Sequence, residues 1–194
     1  MFKRFITAGV LLLAMAATSQ AEQWTLDKAH SSISFSVRHL VVSKTRGHFN
    51  DFNGTVDFDG KDLAKGRVEF TVQTASIDTD NQNRDDHLRS DDFFNVEKFP
   101  TMTFVSRKVE PGEGNKFKLI GDLTIRDVTK EVTFDGEFSG AVVDPWGNTK
   151  AGFSAQAMIN RQDFNVKWNQ ALDAGGFVVG DDVNIFVELE MQKS

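Results

Sequence analysis

Neither cysteine nor tyrosine occurs among the 194 residues. Without cysteine the chain has no disulfide, no thiolate nucleophile and no sulfur ligand for a metal, and without tyrosine it has no phenolic acid or base. Positive charge is also in deficit: 22 Lys and Arg stand against 28 Asp and Glu, a formal net charge of -6 with histidine neutral. That balance argues against a protein that holds nucleic acid through its phosphates. The Gly-x-Ser-x-Gly, Ser-x-x-Lys and His-Glu-x-x-His patterns of hydrolytic sites are missing, as is the Gly-x-Gly-x-x-Gly nucleotide fingerprint. What remains is 40% hydrophobic and 26% charged residues, with 18 Phe and four His, ordinary proportions for one folded domain unusually rich in plain hydrocarbon.

Residues 1–21 read as a secretory signal. Lys3 and Arg4 form a basic start, Ala8 to Ala17 an apolar stretch, and Ser19-Gln20-Ala21 a small-x-small cleavage site. The apolar stretch is too short for a confident membrane span. Its removal would leave residues 22–194 as a single, more acidic, exported domain, and the short basic leader suits a bacterial periplasm. Export without cysteine means that stability must come from burial and hydrogen bonding.

From Ser31 to Val37 the chain alternates, with Ile33, Phe35 and Val37 on one parity and Ser32, Ser34 and Ser36 on the other, the signature of a half-buried strand. The same period of two recurs at Phe52, Val56 and Phe58, at Val68, Phe70 and Val72, and at Met102 and Phe104. It returns at Phe117 to Ile125, Val132 to Phe138, Phe153 to Ile159, and Ile185 to Leu189. Those are eight strands. Asp59-Gly60, Pro111-Gly112-Glu113-Gly114 and Asp144-Pro145-Trp146-Gly147 supply tight reversals between strands, so neighbours are expected to be antiparallel. A bulge is expected near Phe49, Phe52 and Asn53-Gly54, where the parity changes. Asn53-Gly54-Thr55 is also a glycosylation sequon, read here as incidental to a strand. Three excursions interrupt the pattern: Leu40 to Gly47, Ile77 to Pro100 with a short helix around Asn83 to Arg89, and Arg161 to Gly180.

The expected fold is all-β, an eight-stranded antiparallel up-and-down barrel with one short helix in the long central connection. Closure removes the exposed edges of an open sheet. At this size the interior is either filled by side chains or holds one small ligand. Large inward residues such as Phe35, Phe70, Phe104 and Phe134 alternate with Gly121, Gly136, Ala155 and Ala157, so parity alone leaves a channel and a packed core both open. A wall without tyrosine hydroxyls favours an acyl or prenyl chain as guest.

The stretch Phe35-Ser36-Val37-Arg38-His39-Leu40 with Gly47-His48-Phe49 resembles the YceI-like family. So do His87-Leu88-Arg89-Ser90-Asp91-Asp92-Phe93-Phe94 leading to Lys98-Phe99-Pro100-Thr101-Met102, the block Gly121-Asp122-Leu123-Thr124-Ile125-Arg126, and Ile159-Asn160-Arg161-Gln162-Asp163-Phe164. The resemblance implies a lipocalin-like periplasmic barrel enclosing a long polyisoprenoid or related amphiphile, such as a prenyl quinone or prenyl phosphate. Val41, Thr45, Asp127 and Glu131 depart from the family pattern.

On that reading the tail is lined by Phe35 and Val37, Phe49 and Val56, Phe70 and Val72, and Met102 and Phe104. Leu119, Phe134, Phe153, Ala155, Ala157, Ile185 and Val187 continue the wall, with Phe94 and Trp168 from the connections. Arg38, His39, Arg46, His87 and Arg89 lie at or near two excursions and are the candidates for the head group, with His39 on the inward parity of its strand. No cofactor, catalytic residue or metal site is expected. Asp78-Thr79-Asp80-Asn81-Gln82-Asn83 begins like a calcium loop, but Asn83 and Arg89 stand where glycine and the closing glutamate belong. The alternatives are an enzyme modifying an isoprenoid at the mouth, with His87 and Asp86 as base and partner, and a solid barrel binding a partner on its surface. Partners are expected to be the lipid and, transiently, a membrane, for a monomer or homodimer that binds no nucleic acid.

Overall fold

The computed structural model describes residues 23–40, 42–58, 62–173 and 175–194. The expected signal, Val41 and the Asp59-Gly60 reversal lie outside the described residues. The strands are β1 (Gln23–His39), β2 (Ser43–Phe49), β3 (Phe52–Asp57), β4 (Arg67–Gln73), β5 (Ile77–Asp78), β6 (Thr101–Pro111), β7 (Lys116–Ile125), β8 (Val128–Val143), β9 (Thr149–Asn160) and β10 (Val179–Lys193). One helix, α1 (Gln82–Arg89), and short 3-10 turns at Leu63–Lys65, Thr74–Ser76 and Arg161–Phe164 complete the elements.

Ten strands make eight positions in the wall. One side of β1 pairs with β10, and its other side pairs with β2 over Ile33 to His39 and with β3 over Gln23 to Thr25. Thus β2 and β3 are one wall strand interrupted at Asn50 and Asp51, and β4 and β5, which pair with β3 and β2, are another. All pairings are antiparallel, neighbours follow chain order, and β10 closes on β1. The result is an eight-stranded up-and-down barrel. Two boundaries differ from the sequence reading. Leu40 to Gly47 is largely strand, because Thr45, Gly47 and Phe49 continue an inward parity. β1 starts at Gln23, its early alternation being hidden by a register shift between Asp27 and Ser32.

The outer face carries ion pairs among exposed apolar residues such as Val105, Met158 and Phe186. Arg107 pairs with Asp122 and Glu131, each at 2.9 Å, and Lys118 with Asp135 at 2.7 Å. Charge outside and hydrocarbon inside is the reverse of a barrel that spans a membrane.

The registers place α1, the adjoining ends of β1 and β2, the β7–β8 turn and residues 161–173 and 175–178 at one end of the barrel, and the β6–β7 and β8–β9 turns at the other. α1 starts where Asn81 Oδ1 accepts from Arg84 N at 3.0 Å, satisfying one of the donors that a helix start leaves unpaired. Gly114 and Gly147 take positive φ values of 64° and 88° in the two far turns, a conformation that costs a residue with a Cβ.

Candidate functional site

The barrel encloses a cavity of about 400 Å³. Close-packed interiors hold few voids larger than a water molecule, and this volume falls in the ~300–1,000 Å³ range of small-molecule sites. The lumen is therefore not filled by the protein's own side chains. Phe35, Val37, Phe49 and Val56 line it from β1, β2 and β3, Phe70, Val72, Met102 and Phe104 from β4 and β6, and Leu119 and Phe134 from β7 and β8. Phe153 and Ala155 of β9, Ile185 and Val187 of β10, and Phe94 and Trp168 from the connections complete the set of sequence candidates that reach it. Ala157 is a buried core residue that is not among those lining it.

The inward glycines explain how so many phenylalanines leave space. Gly47, Gly54 and Gly136 stand directly across the ladder from Phe35, Phe70 and Phe117. A Cβ at those glycines would meet the facing ring at 2.6, 2.6 and 2.4 Å, and one at Gly121 would meet Phe104 at 2.6 Å. Each ring lies flat over the neighbouring strand instead of standing into the lumen. The small residues thus make room for rings along the wall, and the channel opens because the rings lie down.

The wall is not uniform. Phe52, Phe70, Met102, Phe104, Leu119 and Phe134, on β3 to β8, are 6 to 9% exposed, whereas Ile33, Phe35, Phe153, Ala155, Val183, Ile185, Val187 and Leu189, on β1, β9 and β10, are only partly buried. Most of the partly buried wall residues lie on the β9–β10–β1 side.

Polar groups gather at the helix end. Arg38 and His39 close β1, Arg84 and His87 come from α1, Arg161 follows β9, and Thr45 faces in from β2; all six line the cavity. The His87 ring packs edge-on against Phe93 and Trp168, with centroids at 5.0 and 4.9 Å. Its Nε2 faces Asp92 Oδ2 at 2.8 Å, not Asp86, which accepts from Gln82 and Arg89. The pairing proposed for a catalytic base is therefore a different one. Arg46 and Arg89 do not reach the lumen. Arg46 is exposed on the outward parity of β2, and Arg89 is held by the Ala75 and Ile77 carbonyls at 2.9 and 2.7 Å and by Asp86.

Arg84 and Arg161 are mouth residues that sequence reasoning passed over as helix surface and family motif. Arg84 donates from Nε to Thr79 Oγ1 at 2.7 Å and from Nη2 to Thr79 O at 2.6 Å. Arg161, 5% exposed, donates to the Val166, Trp168 and Gly180 carbonyls at 2.7, 2.9 and 2.9 Å, tying the stretch after β9 to the start of β10. Burial lowers its pKa from the ordinary guanidinium value, against the opposing pull of Asp181. A signal existed for Arg161: an arginine closing an apolar strand, before a segment with a tryptophan and few regular bonds of its own.

This barrel, with its capped mouth and apolar lumen, matches the YceI-like domain model over residues 24–191. The chain belongs to the YceI-like family. A UPF0312 protein of Staphylococcus aureus is 39% identical over 172 residues, covering 88% of this chain and 98% of that protein. Among solved structures, BcnA of Burkholderia cenocepacia superposes with a TM-score of 0.75 at 28% identity, covering 85% of this chain and 98% of that one. A polyisoprenoid binding domain from Saccharophagus degradans, implicated in plant cell wall breakdown, shares the fold at a TM-score of 0.64 and 13% identity, covering 90% and 99%.

Of the positions read from sequence as departures, Thr45 lies in the lumen wall, while Asp127 accepts from Asn165 at 3.3 Å and Glu131 from Arg107. Val41 lies outside the described residues. The carboxylates of the calcium-like loop serve as local acceptors: Asp78 for the Asp80 amide at 2.9 Å, which holds its pKa below the usual value, and Asp85 for Thr79. Asp27, His30 and Glu190 present ligand atoms within 4.8 Å of one another, but Lys150 Nζ already sits 2.7 Å from Asp27 and 3.2 Å from Glu190. Hydrogen bonding from Lys150 lowers the Asp27 pKa to about 2.

Proposed function

We propose that this YceI-like protein binds a long-chain polyisoprenoid or similar amphiphilic lipid, such as a prenyl quinone or prenyl phosphate, and sequesters or carries it in the periplasm after export through residues 1–21. The observation that carries the reading is the cavity of about 400 Å³ walled by hydrocarbon and opening beside a polar rim. The Saccharophagus degradans domain, described as polyisoprenoid binding, has the same fold.

Burying hydrocarbon contributes roughly 0.8 kcal/mol per CH2, so each five-carbon prenyl unit is worth on the order of 3 to 4 kcal/mol before ordering costs. The tail supplies the affinity, and groups at the rim fix orientation and head-group choice. A binding protein needs nothing more than this. Purification of the mature protein under native conditions, followed by solvent extraction and mass spectrometry, tests it. The expected result is a prenyl or comparably long-chain lipid at near-stoichiometric amount, returned chemically unchanged after incubation. Protein that is repeatedly empty and ignores added prenyl lipids would overturn the reading, and a modified lipid would replace binding with catalysis.

A further inference from the structure

Hydrocarbon continues from the lumen onto the surface at one place, and we propose that Leu40, Val42 and Phe177 there dip into a lipid bilayer when the barrel exchanges its guest. The inference rests on the lipid-binding reading and adds the surface through which a guest passes.

Leu40, 38% exposed, follows β1, Val42, 85% exposed, precedes β2, and Phe177, 57% exposed, precedes β10. The stretches that carry them are tied together. Leu40 N donates to Val178 O at 2.9 Å, His39 stands opposite Val179 in the ladder, and Ala171 bridges to Phe177. Val37, His39, Val178 and Val179 line the cavity. One step along the chain, from His39 to Leu40 or from Val178 to Phe177, therefore leads from the lumen wall to an exposed apolar side chain.

Residues 39–43 and 174–180 contain no Asp, Glu, Lys or Arg, in a chain with 26% charged residues. Clustered exposed hydrocarbon marks a contact with protein or membrane. Three side chains fall well short of the ~800 Å² that each partner buries in a stable protein complex. A bilayer asks for no matching shape, and apolar side chains at its boundary gain in proportion to the area they bury. The net charge of -6 gives no long-range pull toward anionic lipid, so the contact is brief and held by hydrocarbon. Val142, Val143 and Trp146 on the β8–β9 hairpin are also exposed, at 66, 69 and 84%. No residue from 135 to 152 lines the cavity, so a bilayer met there would not spare a prenyl chain its costly passage through water.

The test reads which end of the mature protein enters a bilayer. Wild type, whose exposed tryptophan is Trp146, and Phe177→Trp are mixed with phosphatidylcholine vesicles and with vesicles of brominated phosphatidylcholine, whose bromines quench tryptophan among the acyl chains. Trp24, 2% exposed, and the partly buried Trp168 are common to both proteins. The emission added by Phe177→Trp is expected to be quenched, and that of Trp146 to persist. Partition onto vesicles, measured by sedimentation, should fall roughly tenfold in Phe177→Ser and about threefold in Val42→Ser. It should be unchanged in Trp146→Ser and should not strengthen when phosphatidylglycerol is added. No partition at all, quenching confined to Trp146, or partition lost in Trp146→Ser but not in Phe177→Ser would overturn the inference and leave lipid binding standing. Prenyl lipid that is absent from the wild-type protein and refused when added would overturn the lipid-binding reading, and the exchange with it, even where the side chains insert.

Discussion

The two sides of the barrel wall obey the same alternation and end differently. On β3 to β8 large inward rings interlock, with Phe104 and Phe134 edge to face at 5.2 Å, and Phe52, Phe70, Phe104, Leu119 and Phe134 are buried. On β1, β9 and β10 Ile33, Ala155, Val183, Ile185, Val187 and Leu189 stay only partly buried, alongside the buried Ala151, Ala157, Ile159 and Met191. Periodicity sets which way a side chain points, and volume decides whether it meets another. The open wall is held by polar clips at its ends. Lys150 of β9 joins Asp27 of β1 and Glu190 of β10 at one end, and Arg161 ties the segment after β9 to Gly180 of β10 at the other.

Truncation should separate the two sides most strongly. Phe104→Ala, in the packed wall, is expected to cost about 3 to 5 kcal/mol in urea unfolding, the usual range for a phenylalanine lost from a filled core. Ile185→Ala, facing space that already exists, should cost less than about 2 kcal/mol, because little new cavity is made. Equal costs would erase the distinction.

Additions should sort in the opposite sense. Ala157→Phe meets packed neighbours and is expected to destabilise by about 1 to 3 kcal/mol. Ala155→Phe turns a ring into the lumen; it should leave the melting temperature nearly unchanged and reduce the lipid recovered by extraction. Gly136→Ala should also lower loading, because its Cβ would lift the Phe117 ring off the wall from a 2.4 Å contact. Full loading in Ala155→Phe would place the guest elsewhere.

The smallest effect concerns the Lys150 clip. The folded-state pKa of Asp27 lies near 2, below its ordinary 3.8, because Lys150 donates to the carboxylate. The stabilisation is therefore complete above about pH 3.8 and fades as the pH falls toward 2. Lys150→Met should flatten that part of the acid unfolding profile relative to wild type. An identical acid profile in the variant would deny the clip a role.

Much of the fold was legible because it follows from alternation and from the reversals at Pro111 to Gly114 and Asp144 to Gly147. The helix was legible from its polar run, and its cap at Asn81 fits the residue type. β2 was hidden because Gly47 looks like a loop residue until Phe35 is seen lying across it. The direction of the lumen was hidden too, since it depends on which rings interlock around the circumference. Among the rim residues, His39 follows from its parity on β1. Arg84 lies on a polar helix surface whose orientation over the opening is tertiary. Arg46 faces outward on β2, and Arg89 is taken up by the Ala75 and Ile77 carbonyls.

A crystal structure of the mature protein grown with farnesyl phosphate tests the central claim most directly. The expected result is a continuous chain against Val183, Ile185, Val187 and Ala155, with its head at the helix end of the barrel. Density showing the lumen closed by the protein's own side chains, with the lipid outside or absent, would contradict it.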